Sequence, residues 1–71
     1  MESAERVYFK RVYDKRGLPA SGMYTHGPFC RTIELAREVP AYLQSDAACS
    51  VRICSMPADK VLNWEGIVIE E

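Results

Sequence analysis

The one stretch with helical periodicity, "CRTIELAREVPAYLQSD" (30–46), carries a proline near its middle. Pro40 has no amide proton and disfavours helical geometry at Val39. The helix should therefore kink or break at that point, with a second short turn through Tyr42 and Leu43. Thr32 is the expected N-cap, and Glu34 lies in the first turn, where the helix dipole favours a carboxylate. Leu35, Ala36, Val39, Tyr42 and Leu43 fall on one side at i, i+3, i+4 spacing. With its only helix interrupted, a chain of 71 residues has to build most of its core on strands.

Three segments supply them. "ERVYFKRVY" (5–13) is rich in β-branched and aromatic residues, with Val7, Phe9, Arg11 and Tyr13 on one face and Tyr8, Lys10 and Val12 on the other. "DKRGLPASG" (14–22) is turn chemistry, and "MYT" (23–25) reads as a short returning strand closed off by Gly27-Pro28. "AACSVRICS" (47–55) alternates Ala47, Cys49, Val51 and Ile53, expected to face the helix, with Ala48, Ser50, Arg52 and Cys54. "MPADK" (56–60) should turn the chain into a last strand within "VLNWEGIVIEE" (61–71), centred on Ile67-Val68-Ile69 and bent at Asn63 and Gly66. The expected fold is a small single-domain α+β protein spanning 1–71, of ββαββ order. An antiparallel sheet of about four strands packs on one kinked helix. The second sheet face is then left for solvent or for binding.

Size and charge narrow the functions. A domain this short hides only about 60% of the surface its unfolded chain exposes, which favours a surface function over an enclosed pocket. No apolar stretch approaches the ~18 residues of a membrane span, and "MESAERVYFK" lacks the apolar core of a secretion signal, so a cytoplasmic location is expected. Residues 1–37 carry a net charge of +3 and residues 38–71 a net charge of −4. A two-ended molecule suits electrostatic docking on a partner better than general nucleic-acid binding.

Catalytic and metal-binding patterns are weak. "YTHGPFC" (24–30) brings the only histidine, His26, near Cys30, but a thiolate nucleophile also needs a group orienting its base, and none is near in sequence. The three cysteines, Cys30, Cys49 and Cys54, are an odd number and read as free thiols packed as small hydrophobes. A zinc site made by them with His26 is disfavoured: there is no CxxC, and Cys49 and Cys54 point to opposite faces of one strand. Glu34 and Glu38 form a solvated helical pair beside Arg37, and no phosphate-binding glycine motif occurs. No catalytic residue, metal or cofactor is expected, and the chain reads as a non-enzyme.

Binding features are stronger. Tyr8, Phe9 and Tyr13 interleave with Lys10, Arg11, Lys15 and Arg16, as in surfaces that pair stacking with phosphate contacts. The loop "RGLPASGMYTHGPF" is long for a hairpin and presents Met23, Tyr24, His26 and Phe29, residue types enriched at interface cores. Trp64, the only tryptophan, belongs either to the core or to a binding hot spot. The expected partner-binding residues are Lys10, Arg11, Lys15, Arg16, Tyr24 and Phe29.

The layout of a strand pair, "GPFCRTIELARE" leading into one helix, and "ACSVRICSMPADKVLNWEGIVI" resembles that of small phage-encoded inhibitors of host machinery, among them anti-CRISPR inhibitors of type I interference complexes. The resemblance implies a tiny, non-enzymatic cytoplasmic protein that occludes part of a host protein or ribonucleoprotein complex, with contact made by the basic strand or the acidic C-terminal end. Two alternatives stand beside it. One is a small nucleic-acid-binding protein using the basic strand; the other is a structural homodimer paired through edge strands.

Overall fold

The computed structural model describes residues 5–20, 26–40 and 50–71. Within them β1 (Arg6–Tyr13), β2 (Ser50–Pro57) and β3 (Val68–Ile69) form one antiparallel sheet of order β1-β2-β3, with helix α1 (Ile33–Glu38) between β1 and β2 in sequence. The architecture is small and α+β. Three sheet strands are present among the described residues where about four were expected. The returning strand expected at 23–25, residues 41–49 with Tyr42 and Leu43, and Cys49 lie outside the described residues.

The outer edge of β1 is nonetheless occupied. Asp14 shapes a tight turn: its carboxylate accepts from the amides of Arg16 and Leu18, at 2.9 and 3.0 Å. Gly17 supplies the left-handed backbone the turn needs, at φ 84°. The chain then returns as an isolated bridge between Tyr13 and Pro19, and further bridges join Arg11 to His26 and Tyr8 to Cys30. Cys30 was expected at the head of the helix. Instead its main chain exchanges two hydrogen bonds with Tyr8, at 2.9 and 2.7 Å, and the helix begins three residues later.

The helix obeys its local signals. The Thr32 hydroxyl accepts from the Leu35 amide at 3.1 Å, and Val39, the residue before Pro40, is extended (φ −95°, ψ 145°) and ends the helix. The helix described is therefore six residues long, shorter than the 30–46 segment from which it was read. Ala36 is its buried residue, while Leu35 is half exposed. Lys10 donates to the Arg37 carbonyl oxygen at 3.0 Å, which places α1 over the sheet face that carries Lys10, Val12 and Ile53.

The larger buried cluster among the described residues lies on the opposite face. Register pairs Phe9 with Cys54 and Val7 with Met56, and residues directly opposite share a face. Phe9, Tyr13, Cys54 and Met56 form the buried cluster, with Val7, Val61 and Ile67 packed against it. Both halves of the β2 alternation are thus buried at its C-terminal end: Ile53 on the helix side, Cys54 and Met56 on the other. Val51, expected to face the helix with Ile53, is exposed.

What covers the Phe9 face is the segment after β2. That strand continues to Pro57, and residues 58–63 form a 3-10 helix where a turn and the start of a strand were expected. The final strand is only Val68–Ile69. The expected bend at Gly66 is present, at φ 76°, and a Cβ built there would meet the Pro57 ring at 3.0 Å. The main chain after β3 still bonds to β2, through the Glu70 and Glu71 amides on the Ile53 carbonyl oxygen.

Side chains clasp this last segment. The Ser55 hydroxyl donates to Glu70 at 2.6 Å and accepts from Arg6 at 3.1 Å. The Glu71 carboxylate is gripped by Arg37 through both Nε and Nη2. Hydrogen bonds from Arg37 hold the Glu71 carboxyl below its ordinary value of 4.5. No helix among the described residues is long and apolar enough to cross a membrane.

Two outcomes follow. Met56→Ala should cost about 2–5 kcal/mol of a total expected at roughly 4–10 kcal/mol for this length. Urea denaturation should therefore find a domain close to unfolding, while Leu62→Ala, at 95% exposure, should leave the midpoint unchanged. Because the folded pKa of Glu71 is depressed, its contribution is present above pH 4.5 and is lost as pH falls through the lower folded value. Glu71→Gln should flatten that part of the acid limb when stability is measured against pH.

Candidate functional site

The sheet face carrying Phe9 is where functional side chains gather. Phe9 is buried and meets three rings edge-on: Phe29 at 5.1 Å, Trp64 at 5.8 Å and His26 at 6.2 Å between centroids. The three also touch one another. His26 stacks on Phe29 at 5.2 Å with planes 20° apart and meets Trp64 at 5.0 Å, and Phe29 lies 5.9 Å from Trp64. Such offset and edge-to-face pairs are favourable beyond their buried area.

Unlike Phe9, the outer rings remain partly in solvent: Phe29 is 38% exposed and Trp64 40%. Together they make an aromatic shelf anchored on the core. The shelf's shape depends on the main chain at Trp64, which caps the 3-10 helix in the left-handed region at φ 55°, ψ 46°. That conformation is costly for a bulky residue. Here the Trp64 amide donates to Val61 at 3.3 Å, and packing on Phe9 helps to hold the ring in place.

Arg11 completes the site. Its guanidinium carbon sits 5.5 Å from the Trp64 ring centroid and 5.7 Å from that of Tyr13, within cation–π range. Below it the Tyr13 hydroxyl contacts Cys54 Sγ at 3.5 Å. Burial, followed by that contact, pushes the Tyr13 hydroxyl's pKa above its usual range. The ring therefore stays neutral at physiological pH.

The expected binding residues are distributed unevenly about this shelf. Arg11 and Phe29 belong to it. Lys10 points to the other sheet face, where it holds the C-terminal end of α1. Arg16 pairs with Asp14 at 3.0 Å within the turn, and Lys15 is exposed beside it. Bonds from the Leu18 amide and from Arg16 keep the Asp14 carboxyl below its usual value. Tyr24 lies outside the described residues.

Two members of the shelf were present in the sequence reading without being chosen as binding residues: His26 was one of the residues presented by the 16–29 loop, and Trp64 was divided between core and hot spot. Arg52, beside the shelf, was read only as a strand residue; antiparallel pairing sets it opposite Arg11. The two side chains of the His26–Cys30 pair each meet a main-chain carbonyl oxygen. His26 Nδ1 contacts the Gly27 carbonyl oxygen at 2.6 Å and Cys30 Sγ the Pro28 carbonyl oxygen at 3.6 Å. Elsewhere, a cleft of about 300 Å³ is lined by Glu5, Arg6, Val7, Arg31 and Ala58. Its Arg6 is already engaged by Ser55 and by the Gly66 carbonyl oxygen.

No protein-family model, no curated protein and no solved structure matches the chain.

Because Trp64 is the only tryptophan, its fluorescence reports on the shelf directly. Phe29→Ala should shift its emission to longer wavelength by removing a ring that shields it. Denaturation should meanwhile show a loss of about 1–2 kcal/mol, the scale of a half-exposed aromatic and its ring pairs.

Proposed function

We propose that the protein is a non-enzymatic binding module that recognises another protein through the aromatic shelf of His26, Phe29 and Trp64 with Arg11. The observation that carries this reading is the exposure of two large rings that are held rigidly by a buried third. Aromatic and arginine side chains dominate binding hot spots, and rings fixed before association lose little further entropy on binding. Leu62 adds an almost fully exposed apolar side chain from the 3-10 helix that carries Trp64 at its end.

The mechanism suited to such a chain is steric occlusion: a small pre-formed body covers a surface that a larger assembly needs. The resemblance in layout to phage-encoded inhibitors makes a host protein or ribonucleoprotein complex, a type I CRISPR interference complex among them, the first class of target to test. Lys15 and Arg16, at the turn that ends β1, would contribute rim charges that speed association more than they hold the complex. The cytoplasm is the compartment in which such a target would be met.

A tagged copy should retrieve a stoichiometric protein complex from bacterial lysate, unchanged by nuclease, as read by mass spectrometry. Trp64→Ala should reduce the yield by at least about tenfold, as hot-spot truncations do, while Lys15→Ala with Arg16→Ala changes it only a few-fold. Recovery of nucleic acid alone, lost on nuclease treatment, would support the alternative of a small nucleic-acid-binding protein. The protein-binding reading would then be set aside.

A further inference from the structure

Arg11 and Arg52 stand directly opposite each other across β1 and β2. Opposed residues share a sheet face and lie close, and like charges so placed repel. Neither is relieved by a carboxylate side chain among the described residues. The Arg11 guanidinium contacts ring faces, and Arg52 donates from Nε to the main-chain oxygen of Glu71 at 2.9 Å. The nearby Glu71 carboxylate is itself taken by Arg37. Beyond its contact with the Tyr13 hydroxyl, the Arg11 guanidinium has further in-plane N–H groups, and the acceptor whose geometry best matches such a fork is a carboxylate.

We infer that the protein bound on the aromatic shelf presents an acidic segment. One of its carboxylates lies between Arg11 and Arg52, with a neighbouring apolar side chain against Phe29 and Trp64. This assignment rests on the proposed protein-binding role and names the chemistry of the partner. A phosphate chain would offer anions too. However, the arginine pair stands beside the exposed rings of Phe29 and Trp64, with Arg11 in contact with the Trp64 ring. That combination suits one carboxylate flanked by apolar side chains better than a continuous polyanion.

The test uses the intact protein and three labelled probes: a dodecapeptide of Gly and Ser with one central Asp-Leu-Phe, the same peptide with Asn for Asp, and an oligothymidylate. Fluorescence anisotropy and Trp64 emission follow each titration. Saturable binding of the Asp peptide, at least about tenfold tighter than the Asn peptide, is expected. The double variant Arg11→Gln, Arg52→Gln should lose that preference while keeping its circular dichroism. If that variant does not fold, Arg11→Lys, which keeps the charge but not the planar fork, should reduce the preference without abolishing it.

Equal affinity for the two peptides, tighter binding of the oligothymidylate, or no saturation by about 1 mM overturns the inference. A preference that survives in the double variant does so as well. Phe29→Ala separates this outcome from failure of the broader reading. If it weakens both peptides while Asp and Asn bind alike, the shelf is a protein-binding surface and only the acidic specificity fails. If it weakens neither peptide, the shelf itself is not the binding surface.

Discussion

Burial of Phe9 is the contact on which the rest of the structure depends. Its ring is fully inside, at the centre of β1, opposite Cys54 and beneath His26, Phe29 and Trp64. Three segments distant in sequence converge on it: β2, the 26–30 segment and the end of the 3-10 helix. Few other large side chains among the described residues are fully buried. In a domain with so little interior, one ring therefore serves both as core and as foundation for the exposed shelf. A change at that position therefore alters the stability of the domain and the shape of the shelf together.

Much of the local structure was legible from the residues. The alternation of β1 gives both of its faces correctly, with Phe9 and Tyr13 opposite Lys10. Thr32 caps the helix, and Pro40 stops it through Val39, as backbone chemistry demands. The turn built by Asp14 and Gly17 is where a cluster of turn residues places it. These features are written within a few residues of where they act.

Features that require distant segments to meet were less legible. Periodicity could not show that Val51 is exposed while Ile53 is buried. The order of residues 58–63 suggested a turn and a strand, yet they form a 3-10 helix that lays Val61 against the Phe9 face. The shelf is assembled from positions 11, 26, 29 and 64, so no local motif contains it. The expected binding set held Arg11 and Phe29 but joined them to Lys10, which reaches the opposite face. Sequence spacing along one strand shows which residues share a side; it does not show what will cover that side.

The register of the sheet has a kinetic side. Arg6 pairs with Pro57 and Tyr13 with Ser50, so every pairing between β1 and β2 closes a loop of dozens of residues. Loop closure of this kind must precede the contacts that reward it, and folding slows accordingly. During synthesis β1 would leave the ribosome before its partner and wait with Phe9 and the edge that β2 later takes uncovered. Arg6, Lys10 and Arg11 then act as gatekeepers, keeping an unpaired and otherwise β-prone strand from joining other chains until β2 arrives.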